Sequence, residues 1–132
     1  MINRLDMYVD RFRAYAPLVL RIGIGFVFAW FGWNAISAPD SWVRLVPDWQ
    51  AAIIDARTLV LVHGAVELVL GVLLIVGARI RLVSGILLLS ILHTLFLISG
   101  PSFIRDVGIA AATLSIFLSG GRSVLERISP RI

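Results

Sequence analysis

Residues 58–76 read TLVLVHGAVELVLGVLLIV, and this stretch decides the class of the protein. Between its first and last residues only His63 and Glu67 carry strongly polar side chains. An α-helix rises about 1.5 Å per residue, so a helix of this length is close to the roughly 30 Å thickness of the hydrocarbon core of a bilayer. The stretch therefore predicts a membrane-spanning helix.

Three further stretches have the same apolar character, over residues 17–37, 82–99 and 103–119. Hydrophobic residues make up 59% of the 132-residue chain, which is more than a soluble domain usually contains. A soluble helical bundle is the alternative, but these stretches lack the polar face that its helices would present to water. The sequence predicts an all-α membrane protein, an antiparallel bundle of four transmembrane helices that fills residues 1–132 as a single domain.

The segments outside the spans are expected to lie in the membrane interface. Met1–Ala16 is amphipathic and predicts a short helix on the membrane surface. Because this segment contains Asp6 and Asp10 and the first span is long enough to cross, an uncleaved span is favoured over a signal peptide. Residues 38–57 are polar and contain two tryptophans, which favours a position along the lipid headgroups.

The arginines indicate the orientation, since all 12 basic side chains are arginines. Nine of them lie before or at the start of the first span, in the 77–81 connector or after residue 119, whereas three lie on the other side. The positive-inside rule then predicts a multi-pass protein of the cell membrane with both termini in the cytoplasm. Because the arginines are scattered between apolar spans, the lipid bilayer and not nucleic acid is the expected partner.

Small residues mark expected helix contacts. Gly64 and Gly71 lie seven residues apart in the second span, and Gly108 and Ala112 lie four apart in the fourth. Such spacing lets helix backbones approach closely, either within one chain or between the copies of a homo-oligomer.

Few strongly polar side chains occur within the spans. They are Asn34, His63, Glu67, His93, Arg105 and Asp106. The helical rise places all of them in the outer half of the bundle or at its midplane, with Glu67 deepest. A charge at the bilayer centre costs about 2.5–3.5 kcal/mol, so we expect Glu67 to face the interior, either paired or protonated. His63 and Glu67 are four residues apart and share one helix face.

Several interpretations of these residues are open. Ionisable side chains inside a membrane are by default functional, which favours a pocket for a small ligand. They could instead form an interhelical hydrogen-bond network that fixes the register of the bundle. Two imidazoles and a carboxylate are suitable metal ligands, and His63, Glu67, His93 and Asp106 could supply them. The two histidines could instead ligate haem. Because the spacing matches no catalytic metal signature, we assign no metal.

Four short motifs resemble those of the DoxX family of small four-helix membrane proteins. They are Arg21-Ile-Gly-Ile-Gly-Phe-Val-Phe, Glu67-Leu-Val-Leu-Gly, Arg79-Ile-Arg-Leu and Arg105-Asp-Val-Gly. The resemblance runs from about residue 17 to residue 120. A lysine commonly follows the first span in the family, whereas Gly32-Trp-Asn-Ala carries no positive charge here. Any contact of that lysine with an anion or headgroup therefore has no counterpart in this chain.

The resemblance implies a membrane subunit associated with redox chemistry. The family takes its name from a terminal quinol oxidase, or thiosulfate:quinone oxidoreductase, of a sulfur-metabolising archaeon, and other members are linked to thiol and oxidative-stress complexes. We therefore expect a redox-active ligand such as a quinone in the outer half of the bundle. Glu67 would accept its proton or hydrogen bond, while His63 and His93 would donate to its oxygen. Arg105 would hold Asp106 charged or fix a substrate anion.

Whether this chain is itself catalytic stays open. It contains no cysteine, haem motif or nucleotide fingerprint, so the electrons would come from a redox partner subunit. Two other functions compete with the quinone site. One is a proton-coupled transporter that uses a membrane glutamate, although such exporters do not pair the acid with histidines. The other is a structural or assembly subunit without a ligand.

Overall fold

The structure of the protein, a computed structural model, describes residues 4–97 and 102–120. Within these ranges the chain forms helices joined by turns. The helices are α1 (Arg4–Phe12), α2 (Ala16–Ser37), α3 (Pro39–Val43), α4 (Asp48–Ala51), α5 (Ala56–Val76), α6 (Ile80–Leu97) and α7 (Ser102–Ser119). A short 3₁₀ turn joins α1 to α2. The predicted N-terminal amphipathic helix is present as α1, and none of its residues is buried.

Among the described residues, four helices are long and apolar enough to cross a membrane. One of them contains α2, and the others are α5, α6 and α7. The described bounds of these helices lie within two residues of the predicted spans. The end of the third predicted span, residues 98–99, lies outside the described residues. Large apolar side chains cover the outer faces, among them Val19, Phe26, Phe96 and Ile104. Such faces require lipid as their solvent.

The ends of α5 follow directly from its flanking residues. The side chain of Asp55 accepts a hydrogen bond from the backbone N–H of Thr58 at 3.0 Å and so caps the first turn. At the other end Gly77 adopts a φ of +90°, which glycine reaches without steric cost, and donates its N–H to the carbonyl of Leu73 at 2.9 Å. Residues 77–79 then connect α5 to α6. We call this side the connector end and the side with α3 and α4 the loop end.

The most extensive packing joins α2 to α5, and it depends on glycines. A Cβ added at Gly71 would lie 2.5 Å from the backbone nitrogen of Ala29, and one at Gly64 would lie 3.0 Å from the backbone oxygen of Gly32. Residues later in α2 contact residues earlier in α5. The predicted contact role of Gly64 and Gly71 is confirmed.

The expected contact at Gly108 is absent within the described chain. This glycine is exposed, and no atom lies within 4 Å of a Cβ added there. The interior face of α7 carries Asp106 and Ala110, and Gly108 lies two residues from each, which is about 200° around the helix. Its predicted partner Ala112 does pack against the core.

Replacing Gly71 with alanine tests the close approach of α2 and α5. We expect Gly71→Ala to lower the unfolding free energy by about 1–3 kcal/mol, because the added methyl group overpacks backbone against backbone. Gly23→Ala, on a face of α2 with nothing within 4 Å, is the matched control. It should leave stability unchanged or raise it by up to about 1 kcal/mol, since alanine favours a helix. Detergent unfolding followed by circular dichroism measures both, and equal stabilities would contradict the packing described here.

Candidate functional site

A cavity of about 390 Å³ opens within the loop end of the bundle. All four long helices contribute to its walls, together with α3, α4 and the turn between them. Most lining side chains are apolar, and Phe28, Phe31 and Trp42 supply aromatic rings. A mainly apolar cavity of this size with a few polar groups is typical of a site for a small molecule.

The two most buried acidic side chains of the described residues both line this cavity. Glu67 on α5 is 8% exposed, and Asp106 on α7 is 5% exposed. The close α2–α5 contact uses the face of α5 that carries Gly64 and Gly71, so Glu67 lies on the adjacent face, toward the interior. Its inward position agrees with the high cost of a charge in lipid.

Glu67 takes part in a cluster with one residue of its own helix and one of α6. Ser90 donates its hydroxyl to Oε1 of Glu67 at 3.0 Å. Nε2 of His63 lies 3.2 Å from the same carboxylate oxygen and 3.4 Å from the hydroxyl oxygen of Ser90. We call these three residues the Glu67 cluster. A carboxylate with two polar neighbours is far less costly to bury than an isolated one.

Asp106 has a different partner on the opposite wall. Nε of Arg105 donates to Oδ1 of Asp106 at 2.9 Å. The guanidinium carbon of Arg105 also lies 5.2 Å from the ring centre of Phe31, a cation–π distance. Phe31 packs edge-to-face against Trp42, with ring centres 6.0 Å apart. Asp106, Arg105, Phe31 and Trp42 are thus linked by successive contacts along one wall of the cavity.

The segment between α2 and α5 covers the loop end. Nε2 of the Gln50 side chain, on α4, donates to Nε2 of His93 at 3.0 Å when the histidine proton is on Nδ1. Arg57 donates to Oδ1 of Asp40 at 2.6 Å and thereby ties α3 to the start of α5. These two contacts attach the segment between α2 and α5 to α6 and to the start of α5.

Five of the six predicted site residues line this cavity, namely His63, Glu67, His93, Arg105 and Asp106. Asn34 does not line the cavity, and its amide donates to the carbonyl of Trp30 on its own helix at 2.9 Å.

The sequence prediction omitted Ser90, which contacts Glu67, and Gln50, which contacts His93. Ser90 lies one turn before His93 on α6, a spacing visible in the sequence. Gln50 gave no such signal, because it belongs to a short interfacial helix.

The family model that describes DoxX proteins matches residues 16–100. The chain belongs to the DoxX family. The matched residues include α2 to α6 and thus the whole Glu67 cluster, whereas Asp106 and the rest of α7 follow the match. The expected similarity up to residue 120 is therefore shown as far as residue 100. No curated protein and no solved structure matches the chain.

The cavity of this DoxX-family protein presents hydrogen-bonding groups at two places within an apolar space. One is the Glu67 cluster, in which Glu67 and His63 line the cavity and offer a carboxylate and an imidazole. The other is Arg105 with Asp106. In the described parts of the chain no three histidine or acidic side chains come close enough together to hold one metal ion. The arrangement is suited to a small organic molecule with polar atoms at its rim.

The hydrogen bond from Ser90 to Glu67 can be tested by mutation of α6. Ser90→Ala should destabilise the protein by about 1–3 kcal/mol, because a buried carboxylate loses a donor. Ser84→Ala is the matched control, since the hydroxyl of Ser84 donates to the carbonyl of Ile80 on its own helix. Such a bond adds little to stability, so we expect a change below about 1 kcal/mol there. Equal losses in the two variants, measured by detergent unfolding, would argue against the cluster.

Proposed function

We propose that this DoxX-family protein is a membrane subunit that binds a small redox-active ligand of the quinone type in the loop-end cavity. One observation carries the proposal: the buried carboxylate of Glu67, with His63 beside it, faces an apolar cavity that is partly lined by aromatic rings. A quinone combines a flat apolar ring with oxygens that accept hydrogen bonds when oxidised and donate them when reduced. The cavity offers both kinds of surface.

The Glu67 cluster can serve both forms of such a ligand. The imidazole of His63 can donate to a quinone oxygen, and the carboxylate of Glu67, held by the hydroxyl of Ser90, can accept from a quinol hydroxyl. Oxidation of a quinol to a quinone releases two protons and two electrons. Glu67 and His63 are positioned to take up protons, since general bases act from within hydrogen-bond distance. The electrons pass to a redox partner subunit, because the chain carries no cysteine or haem motif.

The aromatic wall supports the position of the ring. Phe31 and Trp42 line the cavity at right angles to each other, and offset or edge-on aromatic contacts favour a flat ligand. Arg105, held over Phe31 and bonded to Asp106, would donate to the second oxygen of the ligand or to an anion at the cavity mouth.

We further propose that the whole chain forms a single antiparallel bundle in the cell membrane with both termini in the cytoplasm. Among the described residues six arginines lie in α1, near the start of α2 or at the connector end, namely Arg4, Arg11, Arg13, Arg21, Arg79 and Arg81, whereas three lie at the loop end, namely Arg44, Arg57 and Arg105. This excess supports a cytoplasmic connector end. The cavity then opens toward the outer side of the membrane. Assembly with further copies of the chain is compatible with this topology.

The test is to extract and identify by mass spectrometry the small molecules that co-purify with the protein in mild detergent. We expect a quinone at about one molecule per chain in the wild type and its loss in Glu67→Gln, because the amide no longer accepts as a carboxylate does. Asp48→Asn is the matched control, since Asp48 is an exposed acid at the same end and does not line the cavity. It should retain the ligand.

Two other results would contradict the proposal. An empty wild-type protein that also fails to bind added decylubiquinone, with Glu67→Gln merely less stable, would favour a structural subunit. Proton-dependent efflux of a cationic dye from proteoliposomes that is lost in Glu67→Gln, without quinone binding, would favour a transporter.

A further inference from the structure

Arg21, at the connector end of α2, has a buried donor that the fold does not satisfy. Its Nε is buried and forms no hydrogen bond with any residue in 4–97 or 102–120. A buried donor without an acceptor costs about 1–3 kcal/mol, and more when it is charged. Among the same described residues no carboxylate forms an ion pair with Arg21. The cost indicates that the site is built for an acceptor from outside the described chain.

The guanidinium of Arg21 lies flat against the turn that ends α5. A Cβ added at Gly77 would lie 3.0 Å from Nη1 and 3.1 Å from Nη2 of Arg21, so this glycine is needed for space as well as for its φ. The partial negative charge at the C-terminus of α5 attracts the guanidinium and holds it there. This attraction fixes the position of the guanidinium but supplies no hydrogen bond to its Nε.

Another arginine, Arg79, belongs to the same turn, follows Gly77 by two residues and is exposed. Arg81 lies in the first turn of α6, and its guanidinium lies against Gly120 at the end of α7. The described acids that precede α2 are Asp6 and Asp10 of α1, and Asp10 lies 3.9 Å from Arg13. The connector end therefore carries an excess of positive charge around an arginine whose position is fixed.

We propose that Arg21, supported by Arg79, binds a phosphate oxyanion at the connector end. The planar guanidinium matches two oxygens of one phosphate, and a flanking cation adds attraction. Arg21 lies five residues after the first residue of α2, which is roughly 8 Å along the helix axis and hence near the headgroup layer. Basic pockets between spans at this depth bind lipid headgroups. The source of the phosphate is therefore an anionic phospholipid.

Native mass spectrometry of the delipidated protein, titrated with phosphatidylglycerol, phosphatidylcholine or inorganic phosphate, tests this site. We expect phosphatidylglycerol to bind at least tenfold more weakly to Arg21→Gln than to the wild type. Arg21→Lys should recover only part of the affinity, because an ammonium cannot form the paired hydrogen bonds. Arg44→Gln, an exposed arginine in the segment between α2 and α5, is the matched control and should bind as the wild type does.

A second variant tests the same site in case Arg21→Gln does not fold. Arg79→Gln removes an exposed charge and should weaken phosphatidylglycerol binding severalfold with unchanged thermal stability. Wild-type affinity in both variants would overturn the proposal. Competition by inorganic phosphate without any preference for phosphatidylglycerol would overturn the lipid source. Glu126 is the acidic residue of the sequence after residue 120. Binding that develops only after Glu126→Gln would show that a carboxylate of the chain itself fills the site, which would also overturn the proposal.

Discussion

The close contact between α2 and α5 is the constraint on which the rest of the structure depends. A Cβ at Gly32 would collide with the backbone of Leu68, and one at Gly71 would meet Ala29, so glycine alone allows the two helices to approach so closely. Between helices in lipid, van der Waals contact of this kind replaces the hydrophobic effect as the main attraction. The contact also sets the rotation of α5. With Gly64 and Gly71 turned toward α2, Glu67 is turned toward the interior.

This rotation places the buried carboxylate of Glu67 inside the loop end of the bundle. Glu67 avoids lipid because the rotation of α5 directs it inward, and Ser90 and His63 provide its hydrogen-bonding surroundings. Glu67 and His63 also line an open cavity, so their polar atoms can serve a ligand as well as one another. A network that only fixed the register of the bundle would have no need of the adjoining aromatic cavity.

Sequence reasoning succeeded where one helix sufficed. The lengths of the spans and the shared face of His63 and Glu67 follow from helical geometry, and the inward position of Glu67 follows from the cost of a charge in lipid. It failed where two elements had to be placed relative to each other. The contact of Gln50 with His93 depends on how the segment between α2 and α5 folds back, and Gly108 faces outward because of how α7 is rotated. No spacing in the sequence encodes either fact.

Tryptophan fluorescence tests most directly whether the cavity binds a quinone, because quinones quench an indole that they contact. In a variant that keeps only Trp42, which lines the cavity, titration with decylubiquinone should quench the emission in a saturable way. A variant that keeps only Trp30, on the lipid-facing surface, should show weak quenching without saturation. Adding Glu67→Gln to the Trp42 variant should weaken the saturable phase at least tenfold. Identical, unsaturable quenching of Trp42 and Trp30 would contradict the account.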